Sequence, residues 1–271
     1  VAGSNWGVAG ANDTTRDREA VGSGQATLDA VGQWMQIDLT GLVQRWVAQP
    51  AANYGVVIKG SGVTGVEYRF HSSELSTVSL RPYLSLTYQT GGAPPPTGTS
   101  TASPTPSPTV TATSTLTATA THTATATSTP TSTPSASPSQ TPTATSTATG
   151  GASQSILLQQ GTGGYAGCTD TYINLWYPTT NYGGFSRLLV HAGDFEATLI
   201  RFELPASIPT DANVSSATLS LYVASRTSAA SMTATAYALL RPWGVTEATW
   251  RAVVAGSNWG VAGANDTTRD R

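Results

Sequence analysis

Short segments in which apolar and polar residues alternate recur along the chain and predict β-strands. In residues 217–223, for example, Leu219, Leu221 and Val223 fall on one face of a pleated strand, and mostly hydroxyl-bearing side chains fall on the other. Turn signals rich in glycine, proline and asparagine separate these segments. Strands are predicted at 33–39, 54–60, 66–72, 81–88, 155–159, 170–175, 187–191, 197–204, 215–223 and 233–240.

Residues 40–47 have helical periodicity instead. Thr40 is placed to cap this helix, because a Thr hydroxyl at a helix start can accept a bond from a backbone N–H. The predicted apolar face consists of Leu42, Val43, Trp46 and Val47. Many short strands and one short helix predict an all-β protein, either a sandwich or a jelly roll.

Residues 91–154 differ in composition from the rest of the chain. They contain no Asp, Glu, Lys or Arg, and about half of them are Thr or Ser. Such a segment has too little apolar surface to form a core, so it predicts an extended, mucin-like linker that carries O-linked glycans. The alternation of Thr and Ala in 109–129 leaves a β-strand open as the alternative. The predicted O-glycosylation sites are Thr105, Ser107, Thr109, Thr111, Thr113, Ser114, Thr115, Thr117, Thr119, Thr121, Thr123, Thr125, Thr127, Ser128, Thr129, Thr131, Thr133, Thr141, Thr143 and Thr145.

Residues 1–18 recur without a mismatch as residues 254–271. The duplication indicates a tandem repeat with one long period, the alternative being an artefact of sequence assembly. In a tandem repeat, residues 1–90 form the C-terminal half of a sandwich begun by the preceding repeat, and residues 155–271 form the N-terminal half of the next. If the two halves closed on each other within one chain, the two copies would compete for one position. Neighbouring repeats of the same protein are therefore the expected partners.

Charge is scarce along the chain. Only 10% of residues are charged, the formal net charge is -2 and Lys59 is the only lysine, so no basic patch is available to bind nucleic acid. Apolar runs are far shorter than the ~20 residues of a membrane-spanning helix, so membrane insertion is not expected. Glycans would hydrate such a surface, which favours an extracellular or cell-surface location. Cys168 is the only cysteine; it is predicted to be a small buried apolar side chain, or alternatively to pair between units.

A series of segments, taken in order across the duplicated residues, carries a family resemblance. The segments are DTYINLWYPTTNYGG, ATLIRFELPASIP, SSATLSLYV, RPWGVTEATW, QWMQIDLTGLVQRWV, NYGVVIKG, YRFHSSE and RPYLSLTY. Together they resemble the DNRLRE domain family. The resemblance implies a jelly-roll β-sandwich like those of carbohydrate-binding modules, repeated in secreted and cell-surface proteins of bacteria and archaea. It implies no catalytic activity, and it implies polysaccharide binding for some members.

An aromatic-rich loop follows the strand predicted at 170–175. Sugar rings stack their apolar faces on flat aromatic side chains. The candidate carbohydrate-binding residues are therefore Trp176, Tyr177, Tyr182 and Phe185. The alternative is that these side chains close one end of the sandwich.

Other chemistry has weaker support. Four acidic residues offer oxygen ligands for calcium, but their spacing matches no compact calcium loop, so no cofactor and no metal site is predicted. These residues are Asp170, Asp194, Glu196 and Asp211. The three histidines, His71, His122 and His191, lie in no metal-ligand or nucleophile motif, so the chain is not expected to be an enzyme.

Two functions from different classes fit these features. The first is a structural subunit of an extracellular filament, in which tandem modules are joined by linkers that carry covalent glycans. The alternative is a multivalent adhesin whose modules bind polysaccharide, with repetition raising the effective concentration of sites.

Overall fold

Eleven strands and one α-helix form the described part of the computed structural model, which covers residues 10–12, 14, 15, 17–91 and 151–254. The strands are β1 (Gly24–Leu28), β2 (Trp34–Asp38), β3 (Val56–Gly62), β4 (Glu67–His71), β5 (Tyr83–Gln89), β6 (Ser153–Gln159), β7 (Cys168–Asn174), β8 (Arg187–His191), β9 (Glu196–Phe202), β10 (Asn213–Arg226) and β11 (Met232–Ala238). The helix α1 spans Thr40–Ala48, and short 3-10 turns occupy Pro50–Ala52 and Val78–Leu80.

The prediction of an all-β fold is confirmed, and each of the predicted strands corresponds to an observed one. Strand β1 was not predicted, because Leu28 is its only buried side chain and the alternation is therefore weak. Strand β6 begins at Ser153, inside the predicted linker. Ser153 pairs with Gln89 of β5, so the sheet extends past the predicted linker boundary.

Strand β10 is 14 residues long and takes part in both layers of the fold. Its first half lies between β2 and β5, and β5 pairs in turn with β6. Its second half pairs with β4, which pairs with β8. In the same layer, β9 lies between β7 and β3, and β3 continues through β11 to β1. All of these pairs are antiparallel, and β10 passes from one layer to the other between Tyr222, which pairs with β2, and Val223, which pairs with β4. A register shift between Val223 and Ser225 follows directly in the pairing with β4.

Side chains from the two layers meet in a shared apolar core. Leu84 and Leu86 of β5 come from one layer, and Tyr68 and Phe70 of β4 come from the other; each is no more than 1% exposed. The alternating strands place these side chains inward and their polar neighbours outward. The result is a β-sandwich-like architecture in which the outer faces remain available for contacts.

Helix α1 buries the four apolar residues predicted for it and packs against β10. The predicted capping role of Thr40 is wrong, because Leu39 precedes the helix and makes no side-chain bond. The Thr40 backbone N–H and hydroxyl instead donate to Asp38 Oδ1 over 2.8 and 2.6 Å. These two bonds lower the pKa of the Asp38 carboxyl. The Asp38 carboxylate thus accepts a backbone N–H at the start of α1 that has no partner within the helix.

The described stretches on either side of residues 92–150 pair with each other within one chain. This differs from the prediction that residues 1–90 and 155–271 are each completed by a neighbouring repeat. Open strand edges and apolar faces pair with whatever complement is present, and in a single chain that complement is the other stretch. Of the first copy, the structure describes residues 10–12, 14, 15, 17 and 18, which lie beside this sandwich. Pairing between successive repeats stays a prediction.

Some predictions lie outside the described residues. These are the O-glycosylation sites from Thr105 to Thr145, the alternative strand at 109–129 and His122. Among the residues that the structure describes, no helix has the length and apolar character needed to cross a membrane.

Candidate functional site

A groove of about 350 Å³ lies where the β7–β9 pair meets the β4–β8 pair. Thr198 of β9 joins the two pairs, since its hydroxyl donates to the Leu189 carbonyl of β8 over 2.8 Å. The groove is lined by Glu67, Arg69, Tyr172, Asn174, Tyr177, Tyr182, Arg187, Leu189 and Glu196. Aromatic, cationic and acidic side chains therefore share one concave surface.

Stacked tyrosines form one wall of the groove. The rings of Tyr172 and Tyr182 lie 4.1 Å apart with an interplanar angle of 19°, and Phe185 meets Tyr182 edge-on at 5.3 Å. The neighbouring Asn181 positions the loop, because its Nδ2 donates to the carbonyls of Val245 and Ala248. This wall is consequently held by the loop that precedes β8 and by the segment that follows β11.

Tyr177 is the most exposed aromatic side chain of the groove, at 62%. It follows Asn174, whose Oδ1 accepts the backbone N–H groups of Trp176 and Tyr177 at 2.8 and 3.3 Å. These bonds fix the chain as it leaves β7. An aromatic ring on a fixed turn at the rim of a groove can stack on a ligand without first losing backbone freedom.

Two acidic side chains lie together inside the groove. Asn174 Nδ2 donates to Glu196 Oε1 over 2.6 Å, and burial, followed by the negative charge of nearby Glu67, raises the pKa of Glu196 to about 8. At neutral pH Glu196 is therefore mostly protonated and can donate a hydrogen bond as well as accept one. Arg69 Nε binds Glu67 Oε1 at 2.5 Å, which compensates the remaining negative charge.

The groove has the chemistry of a site for polyhydroxylated ligands. Arginine, asparagine and carboxyl groups form directional hydrogen bonds with vicinal hydroxyls, while tyrosine rings contact the apolar face of a sugar ring. Arg187, which is exposed at the edge of β8, extends this polar surface.

The four acidic residues considered as calcium ligands have different partners. Asp170 accepts the Ser73 N–H at 2.8 Å, and Asp194 pairs with Lys59 at 2.6 Å. Glu196 binds Asn174, and Asp211 is exposed in the turn before β10. In the described ranges, no three or more His, Cys, Asp or Glu side chains are grouped so that they could hold a metal ion.

One comparison with known families bears on this site. Residues 164–263 match the model of carbohydrate-binding module family 96. The match covers β7 to β11 and includes every residue of the groove except Glu67 and Arg69. No curated protein and no solved structure matches the chain.

The match to carbohydrate-binding module family 96 supports the coarser part of the family resemblance, a carbohydrate-binding module of a non-catalytic kind. Of the four aromatic candidates from the sequence, Tyr177 and Tyr182 line the groove. Phe185 supports the tyrosine wall from its edge. Trp176 is not part of the lining, and its ring stacks on Phe195 at 5.1 Å with an interplanar angle of 2°.

Several residues of the groove were not predicted from the sequence. Glu67 and Arg69 belong to β4, more than a hundred positions from Tyr177 along the chain, and no local motif links them. The position of Tyr172 could have identified it, since it lies in the predicted strand 170–175 only a few residues before the aromatic loop. Alternation around it is weak, since both faces of β7 are buried.

A second aromatic surface lies on the outer face of the other layer. Trp34 of β2 meets Tyr83 of β5 at 4.8 Å and Tyr222 of β10 at 5.4 Å, and His71 stacks on Tyr222. The signal for this surface was present, because each of the three aromatic residues occupies an outward position of an alternating strand.

Proposed function

We propose that the folded module binds polysaccharide, and that the groove between the β7–β9 and β4–β8 pairs is the binding site. The observation that carries this proposal is that the segment matching carbohydrate-binding module family 96 contributes the exposed Tyr177 and most of the other groove residues. This favours the polysaccharide-binding alternative from the sequence over a purely structural role. The finer assignment to the DNRLRE domain family is part of the same proposal.

Stacking and hydrogen bonding have separate roles in this proposal. Tyr177 provides a ring with an exposed face, and Tyr172 and Tyr182 hold the wall behind it. Glu196 and Asn174 supply a donor and acceptor pair at the base of the groove. A sugar unit stacked on Tyr177 would place its hydroxyls toward these groups, which sets orientation along the groove.

Replacing Tyr177 with Ala is expected to weaken polysaccharide binding at least tenfold, about 1.4 kcal/mol. The ring is 62% exposed and contributes little to folding, so the loss arises from the missing stacking surface. Binding is measured by affinity electrophoresis against a panel of soluble neutral glucans, mannans and polyuronates.

Two control variants accompany this measurement. Trp34→Ala removes an aromatic side chain from the second aromatic surface, and Val63→Ala trims a side chain that is 64% exposed in a turn. Both are expected to bind as the wild type does. Failure of the wild type to bind any polymer of the panel contradicts the function, and loss of binding in Trp34→Ala but not in Tyr177→Ala contradicts the site.

A second candidate function is structural, and the identity of residues 1–18 and 254–271 favours it. In this proposal the chain is a repeating unit of an extracellular or cell-surface filament, with O-glycosylated linkers between the modules. Neighbouring repeats and covalent glycans are then its partners. The two functions are compatible, because a filament of binding modules is multivalent.

Glycosylation of the linker has a direct test. In protein isolated from its natural source, a peptide covering residues 113–127 is expected to carry added hexose or similar mass on its Thr and Ser hydroxyls. Intact-peptide mass spectrometry with electron-based fragmentation measures the added mass and its positions. A peptide found only at its unmodified mass contradicts the proposed glycan coat.

A further inference from the structure

The described part of the first copy, residues 10–12, 14, 15, 17 and 18, lies in a cleft beside β3 and β11, which we call the docking cleft. The Gly10 N–H donates to the Trp250 carbonyl at 2.9 Å, and the Gly10 carbonyl accepts from Lys59 Nζ at 2.8 Å. Asn12 Nδ2 donates to Asp194 Oδ2 at 2.5 Å. The docking cleft is formed by Lys59, Asp194, Tyr237, Leu239, Leu240, Arg241 and Trp250.

The shape of the docking cleft is specific for this segment. A Cβ atom on Gly10 would lie 2.6 Å from the Trp250 ring, and Gly10 has a φ of 78°. Ala11 is fully buried with a φ of 57°, a conformation that costs a residue with a side chain roughly 1 kcal/mol. The surrounding contacts therefore hold a strained turn in place.

Charge complementarity holds the other end of the segment. Asp17 is fully buried and accepts from Arg241 Nη1 at 3.1 Å, while the Leu240 N–H donates to the Asp17 carbonyl at 2.8 Å. Arg18 forms a bridge with Leu239 and lies 4.0 Å over the Tyr237 ring. Removing one partner of such a buried ion pair destabilises the folded protein, because the remaining charge stays buried without a counter-charge.

Every side chain that makes these contacts occurs again, at the same spacing, in the second copy. Gly263, Asn265, Asp270 and Arg271 correspond to Gly10, Asn12, Asp17 and Arg18. The docking cleft therefore offers the two copies the same hydrogen bonds and the same ion pair. Nothing in the chemistry of the contacts distinguishes one copy from the other.

The second copy is also within reach of the docking cleft. Val254 packs beside the apolar cluster that contains Trp250, and the Gly10 N–H is bonded to Trp250 itself. Residues 255–262 separate Val254 from Gly263, and eight residues span up to about 28 Å when extended. This length of chain is enough for Gly263 to reach the carbonyl of Trp250, which is only four residues before Val254.

We propose that residues 263–271 of the same chain compete with residues 10–18 for the docking cleft. When the second copy occupies the docking cleft, the sandwich is completed by the segment that follows it in the chain. This is the arrangement that a tandem repeat requires, because there the same segment leads into the next repeat. The inference rests on the duplicated sequence and on the contacts of the first copy. It is independent of carbohydrate binding in the groove.

Matched substitutions in the two copies test this exchange. Asp17→Asn and Asp270→Asn each remove the charge that pairs with Arg241 while keeping the side-chain shape. Each single variant is expected to raise the unfolding equilibrium constant by no more than about twofold, since the intact copy takes the cleft. The double variant is expected to raise it at least tenfold. In Asp17→Asn, amide hydrogen exchange across 263–271 is expected to slow relative to the wild type.

Other outcomes overturn the proposal. If Asp17→Asn alone shows the full loss and Asp270→Asn shows none, the second copy does not enter the cleft. If the slowed exchange across 263–271 depends on protein concentration, the occupant comes from a second molecule instead of the same chain. Because the single variants decide the question, a double variant that fails to fold leaves the test intact. Polysaccharide binding, measured separately, is expected to be unchanged in both single variants.

Discussion

Replacing Phe70 with Ala is expected to lower the free energy of unfolding by about 3–5 kcal/mol. Phe70 is fully buried at the centre of β4, where it pairs with Val223 of β10 on one side and Leu188 of β8 on the other. Removing its ring leaves a cavity between strands from both stretches of the chain. The loss is measured by urea unfolding followed through tryptophan fluorescence.

The same experiment tests whether the two stretches form one cooperative unit. Because β4 belongs to the stretch before residues 92–150 and β8 to the stretch after them, a shared core predicts one transition that shifts as a whole. Val63→Ala, in the exposed turn before β4, is the control and is expected to change stability by less than about 0.5 kcal/mol. A Phe70→Ala variant that shows two transitions, only one of them shifted, contradicts the shared core.

The strands could be predicted from the sequence because one-sided burial leaves a pattern in it. In β5 and β10, buried and outward positions alternate, so the period of two is visible in the residue types. β1 lacks that pattern, because a single residue, Leu28, is buried in it. The cap of α1 was predicted wrongly, because Thr is a common capping residue type. In the structure the Asp38 carboxylate accepts the Thr40 backbone N–H instead.

The groove could be predicted only in part, because its residues come from distant parts of the chain. Tyr177 and Tyr182 lie in one aromatic-rich loop and were identified by composition. Glu67 and Arg69 reach the groove through the pairing of β4 with β8, which follows from topology and leaves no trace in local sequence. Pairing between successive repeats stays a prediction, since the two identical copies give no local information about the strands that each of them joins.

Glu196 is expected to make the module less stable as the pH rises from about 4.5 to 8. Burial and the charge of Glu67 raise the pKa of Glu196 to about 8, whereas a Glu side chain in the unfolded chain titrates near 4.3. Over this window the unfolded chain loses its proton more readily than the folded protein, so deprotonation favours unfolding. Since Glu196 is only 3% exposed, the free energy of unfolding falls by roughly 4 kcal/mol by pH 8, at about 1.36 kcal/mol for each pH unit between the two pKa values.

Glu196→Gln isolates this contribution, because glutamine keeps the acceptor for Asn174 Nδ2 and cannot ionise. Buried Asp170, whose pKa is also raised by burial, changes stability in the same direction in both proteins and cancels in the comparison. The variant is therefore expected to gain stability over the wild type progressively between pH 5 and 8, as measured by urea unfolding at each pH. Glu203→Gln, whose side chain is 66% exposed, is the matched control and is expected to follow the wild type. Parallel pH profiles for the wild type and Glu196→Gln would show that Glu196 is ionised in the folded protein, and the groove would then carry a fixed negative charge at neutral pH.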